Sequence, residues 1–138
     1  MKKYVILICS FVLSALLLIG CNKTTSKNIV LPSVKEINSV VITDNKAKYV
    51  SNDKDVILKL TDKMNNATDT NKESVQDVPD CENYIEIHLI TKDYTTTYFM
   101  YFDKGKLTLE QPYVGIYLVD NSLNEVVNEL YDFNLKNK

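Results

Sequence analysis

The sequence predicts an α+β fold: an antiparallel sheet of about five strands in ββα-βββα order, with two helices packed on one face. Two observations carry that expectation. Runs rich in β-branched and aromatic residues are separated by turn signals short enough for hairpins, and two stretches instead carry apolar residues at helical spacing.

The first run, Val34, Ile37, Val40, Val41 and Ile42, meets Thr43-Asp44-Asn45-Lys46, which turns it into a second run from Ala47 to Val50 as an opening hairpin. Ser51-Asn52-Asp53 offers caps and early negative charge. Val56, Ile57, Leu60, Met64 and Ala67 then predict a helix from about Asp53 to Asn66. Thr68 to Asp80 is polar, ends in Val78-Pro79-Asp80, and reads as a loop. Tyr84 to Leu89 alternates with period two, Ile85, Ile87 and Leu89 on one face and Tyr84, Glu86 and His88 on the other.

Lys92-Asp93 turns this strand into another from Thr95 to Phe102, dense in Thr, Tyr and Phe. Asp103-Lys104-Gly105-Lys106 supplies a glycine where a three-residue hairpin loop needs positive φ. Leu107 to Glu110 forms the next strand. Pro112, lacking an N–H, interrupts it, Gly115 to Val119 resumes it, and the pair Pro112 and Gly115 suggests a bulge or bend. Ser122-Leu123-Asn124-Glu125 matches a capping box, and Leu123, Val126, Val127 and Leu130 line a closing helix.

Ahead of this domain stand Lys2 and Lys3, an uncharged apolar run from Tyr4 to Ile19, and then Leu18-Ile19-Gly20-Cys21 against a polar tract. These are the three parts of a secretion signal, and the run is shorter than the roughly 20 residues a membrane-spanning helix needs. The signal's end resembles the lipobox of bacterial lipoproteins: Leu18 three positions before the cut, small Gly20 at it, and Cys21 as the thiol that lipid transfer requires. That resemblance implies a diacylglyceryl thioether on Cys21 and a membrane hold far stronger than one acyl chain gives. The expected division is a signal over 1–20, a polar tether over 21–28 and a single domain over 29–138. The seven residues from Asn22 to Asn28 reach only about 25 Å, which keeps the domain at the outer face of the cytoplasmic membrane.

Composition narrows the partners. The chain has no arginine or tryptophan and is rich in Asn, Ile, Lys and Tyr, which points to an AT-rich genome such as those of low-GC Gram-positive bacteria. Once Lys2 and Lys3 leave with the signal, fourteen lysines face eighteen acids, a formal charge of −4. Such a domain gains no counterion-release energy from polyanions, so nucleic acid is not an expected partner. Cys9 leaves with the signal and Cys21 takes lipid, so Cys81 has no partner within the mature chain.

Catalytic and metal-binding patterns are sparse. His88 is the single histidine, without ligands at zinc spacing and without a visible triad partner. Asp69-Thr70-Asn71-Lys72-Glu73 begins like a calcium loop but has Ser74 where the glycine belongs and Asp80 where the closing glutamate belongs. Asp77, Glu86 and Glu110 are the carboxylates that strand pairing could bring together for hydrolysis. No cofactor is expected, and no catalytic constellation is visible. The remaining feature is tyrosine: Tyr94, Tyr98, Tyr101, Tyr113 and Tyr117 crowd the last strands, and an apolar ring with a polar tip suits a binding surface. The expected binding face comprises Ser74, Asp77, Glu110, Gln111, Tyr113 and Tyr117, with Tyr113 exposed near the loop that carries Ser74 and Asp77.

Thr70-Asn71-Lys72-Glu73-Ser74-Val75-Gln76-Asp77-Val78-Pro79 and Glu110-Gln111-Pro112-Tyr113-Val114-Gly115-Ile116-Tyr117 together resemble a small domain of unknown function found in Gram-positive lipoproteins. Related domains stand at the outer ends of membrane metallopeptidase receptors akin to beta-lactam sensors. The resemblance implies an extracytoplasmic sensing or accessory module and no assigned activity. The expectation is therefore a monomeric, non-enzymatic domain that binds a protein or a small ligand while lipid on Cys21 holds it to the membrane. Two other readings stand beside it: an inhibitor or immunity-type lipoprotein using an acidic face against a secreted cationic partner, and a carboxylate-dependent hydrolase.

Overall fold

A computed structural model describes residues 27–130. The expected signal with Gly20 and Cys21, most of the tether, and residues 131–138 lie outside the described residues. The described chain is mixed α+β, with β1 Ser39–Thr43, β2 Lys48–Ser51, α1 Lys54–Asn65, β3 Thr68–Lys72, β4 Ile85–Ile90, β5 Thr95–Asp103, β6 Lys106–Gln111, β7 Gly115–Leu118 and α2 Ser122–Leu130. All seven strands belong to one sheet in the order β2-β1-β4-β5-β6-β7-β3, antiparallel throughout.

Five expected strands become seven for two reasons. The polar stretch read as a loop begins with an edge strand, β3, which needs no apolar side because only β7 pairs with it. Pro112 does not interrupt one strand but reverses the chain: β6 and β7 pair with each other, Glu110 opposite Ile116 and Gln111 opposite Gly115. The Gln111 carbonyl accepts from Val114 N–H at 3.0 Å, with Pro112 at the second position and Tyr113 at the third, φ 61°. Proline suits the second position of such a turn, while the third usually takes glycine or asparagine. The β5–β6 connection is also tighter than expected. Lys104 (φ 49°) and Gly105 (φ 79°) form a two-residue turn between paired Asp103 and Lys106.

Both helices cover one face. Ile57, Leu60 and Met64 of α1, with Leu123, Val126 and Val127 of α2, share a core with Val40, Ile42, Ile85, Ile87, Leu89, Tyr98, Met100, Leu109 and Tyr117. Each large apolar side chain buried there contributes about 1.5–3 kcal/mol. Asp53 caps α1 by accepting from Asp55 N–H at 2.9 Å. At α2 the cap is not the expected Ser122: Asp120 accepts from Ser122 N–H at 2.9 Å, which holds its carboxyl below the usual range. Among the described residues no helix is long and apolar enough to cross a membrane.

The segment before β1 crosses this same face transversely. Lys27 N–H donates to Asp69 on β3, the Tyr117 hydroxyl on β7 donates to the Asn28 carbonyl, and Gln111 on β6 pairs its amide with both the N–H and the carbonyl of Val30 at 3.0 Å. Tyr98 on β5 donates to the same Val30 carbonyl at 2.6 Å. Gly115 makes room for this arrangement, because a Cβ there would meet the Tyr117 hydroxyl at 3.0 Å and its ring at 3.2 Å.

Candidate functional site

The opposite face is built by connectivity. Helix α1 carries the chain across one face to the far edge at β3, yet the next strand, β4, lies inside the sheet between β1 and β5. Residues 73–84 must return from edge to centre, and one face is already occupied by helices. They pass over the other as a strap. Ser74 and Pro79 are buried along it, while Val75 and Val78 stand 74% and 46% exposed.

Under the strap lies Glu110, 2% exposed. Its Oε1 accepts from the Ser74 hydroxyl at 2.6 Å and its Oε2 from the Tyr101 hydroxyl at 2.8 Å. Each buried carboxyl oxygen thus has a hydroxyl donor, which burial of a polar group requires. Burial pushes the Tyr101 phenol well above its ordinary value, and its bond to Glu110 adds to the shift. The Cys81 thiol is also pushed up by burial, against the backbone hydrogen bond at Asn83, with Glu110 raising it further. A protonated thiol is a poor nucleophile.

A second latch ties the strap to the β6–β7 turn. The Tyr113 hydroxyl donates to Asp77 Oδ1 at 2.5 Å, and that bond raises the phenol's pKa. Tyr113 is 66% exposed, on a backbone conformation unfavourable to any residue with a side chain. The expected binding face is therefore divided. Ser74 meets Glu110 and Asp77 meets Tyr113, whereas Gln111 and the fully buried Tyr117 point to the helix-covered face, where they hold residues 28–30. Of the other tyrosines, Tyr98 and Tyr101 are buried and Tyr94 is 52% exposed.

Farther along the strap-side face the β4–β5 register sets His88 directly opposite Thr97. His88 Nδ1 lies 3.0 Å from Thr97 Oγ1 and its Nε2 lies 3.0 Å from Glu86 Oε2. In the neutral ring, Nε2–H donates to the carboxylate and Nδ1 accepts from the hydroxyl. Thr97 was not among the expected site residues. The signal that finds it is the hairpin turn over 91–94, which makes Ile90 pair with Thr95 and therefore His88 with Thr97. The three carboxylates weighed for hydrolysis each have a different partner: Asp77 takes Tyr113, Glu86 takes His88, and Glu110 takes Ser74 and Tyr101.

No curated protein matches the chain. The NMR structure of the protein from Ruminococcus gnavus is similar to it at 30% identity with a TM-score of 0.64, spanning 72% of this chain and 98% of that one. A family model, DUF5301, described as a domain of unknown function (DUF5300), matches residues 25–118, which take in every strand of the sheet, and the chain belongs to this family.

Proposed function

We propose that this chain is a lipid-anchored extracytoplasmic lipoprotein whose domain is a non-enzymatic binding module, and that it meets its protein or small-molecule partner with the strap and the Tyr113 turn. The anchor reading is supported by Lys2, Lys3, the apolar run and Leu18-Ile19-Gly20-Cys21. The binding reading is supported by one observation above all: Val75, Val78 and Tyr113 are exposed together on two loops that Asp77 fastens to each other. A tyrosine displayed on a strained backbone and held by its hydroxyl is pre-organised for contact, which lowers the entropy lost on binding.

The test is capture from membranes with the lipidated chain. The wild type retains a partner that Tyr113→Ala loses while keeping its thermal midpoint. Equal capture by both would remove Tyr113 from the site. Cys21→Ser loses palmitate labelling and leaves the membrane fraction, and an unlabelled variant still in the membrane would sink the anchor.

A further inference from the structure

On the strap-side face, at the β3 end, lies a hollow of about 200 Å³ whose lining includes Lys72, Lys104, Lys106, Asp103, Thr70 and Thr108. Three cations around one hollow are unexpected in a domain with an excess of acids, because like charges repel unless something answers them. Among the described residues none of the three makes an ion pair. Asp103 offsets one charge and leaves about two positive.

The backbone is bent to bring them together. The β3–β7 register slips between Asp69 and Lys72, with Asn71 at φ 59°, and the slip places Lys72 opposite Ile116, which also lines the hollow. Bulges of this kind re-aim side chains. Lys104 occupies a positive-φ position at which turns of this type favour Asn, Asp or Gly. Thr108, buried at 2% exposure, has a hydroxyl whose bond to the Lys106 carbonyl is long, 3.3 Å, leaving it free to turn toward an anion.

We propose that this hollow binds a phosphate group, with Lys72, Lys104 and Lys106 around the anion and Thr108 beneath it. The donor set selects the ligand. The cations are all ammonium groups, because the chain has no arginine. Ammonium groups act as point charges with freely turning donors and suit a compact tetrahedral anion. A phosphate monoester carries about −1.5 to −2 near neutral pH, which answers the charge left around the hollow. The proposal deepens the binding-module reading and rests on it. Its residues are separate from Tyr113, so the two fail independently.

The experiment is equilibrium dialysis of the full chain in a non-ionic detergent against radiolabelled inorganic phosphate at constant ionic strength. Binding is saturable, acetate competes poorly, and Lys104→Gln with Lys106→Gln weakens it by roughly tenfold or more, whereas Lys35→Gln, an exposed lysine elsewhere, leaves it unchanged. Far-UV spectra confirm that each variant is folded. Competition by glycerol 3-phosphate and by a glycerol phosphodiester separates a monoester from a diester, and displacement by either supports a phosphate site. Non-saturable uptake, equal competition by acetate, or full binding by the double variant would overturn it.

Discussion

The two faces of one sheet are buried by different chemistry. Under the helices lie Ile, Leu, Val and Met, and three polar side chains of the sheet on that side, Tyr98, Gln111 and Tyr117, are spent on the backbone of residues 28–30. Between the strap and the sheet lie a carboxylate, two hydroxyls and a thiol beside the buried Phe99 ring, with an imidazole farther along. Apolar burial is non-directional and tolerates small shifts; a buried carboxylate loses its partners if the chain above it moves. The helix-covered face therefore sets stability, and the strap-covered face sets the position of one loop. The partner contact proposed above falls on the second.

The largest effect expected from this contrast is on the helix side. Ile87→Ala removes a fully buried side chain and costs about 2–5 kcal/mol in chemical denaturation; a loss below about 1 would mean that the faces are not so divided. Alkaline titration comes next. Tyr98, Tyr101, Tyr113 and Tyr117 are all held above the ordinary tyrosine pKa of 10.0, chiefly by burial except at Tyr113, where Asp77 leads. A raised pKa means the native state keeps a proton that the unfolded chain has released. This stabilisation is whole below pH 10.0 and is lost as the pH climbs through the raised values. Tyrosinate absorbance should rise in two stages, the second coinciding with loss of far-UV signal; a single early stage would contradict the burial of Tyr98 and Tyr101.

Glu110→Ala tests the strap side. It leaves the Ser74 and Tyr101 hydroxyls without their acceptor and costs about 1–3 kcal/mol, with faster amide exchange confined to residues 73–84. Exchange that accelerates across the whole sheet would instead make Glu110 part of the common core. The smallest effect is at the turn. Tyr113→Gly and Tyr113→Ala both lose the ring and the bond to Asp77, but only glycine relieves the positive φ, so the glycine variant should be the more stable by about 1 kcal/mol. Equal stabilities would show that Tyr113 carries no backbone strain.

Where periodicity and capping agreed, the sequence was readable. The Tyr84–Leu89 alternation appears as β4, and the spacing from Val56 to Met64 appears as α1 behind its Asp53 cap. β3 was not readable, because Thr68-Asp69-Thr70-Asn71-Lys72 has no apolar residue and is a strand only through its pairing with β7. The reversal at Pro112 was hidden because Tyr113 stands where glycine or asparagine would announce a turn. In the candidate site, one separation was available beforehand: Glu110 and Gln111 are neighbours on a strand and must point to opposite faces. Tyr113 stands exposed beside the loop of Ser74 and Asp77 as expected, but the particular bonds, Ser74 to Glu110 and Tyr113 to Asp77, depend on the strap's path, which no local pattern encodes.

The transverse course of residues 27–30 has a mechanical consequence. A pull applied from the N-terminal side does not load the strands along their length. It reaches Lys27 on β3 first, then Asn28 on β7, then Val30 on β6 and β5, so the attachments break one after another, as in peeling, at lower force than shearing them together. The first backbone ladder to feel the load is the one at Asn38, whose N–H donates to the Ile90 carbonyl. Peeling to that point frees residues 27–37, a contour of about 36–40 Å at roughly 3.3–3.6 Å each, and draws Ile29 and Ile37 out of the core. Under tension the segment works as a ripcord with a stop, lengthening before any strand yields.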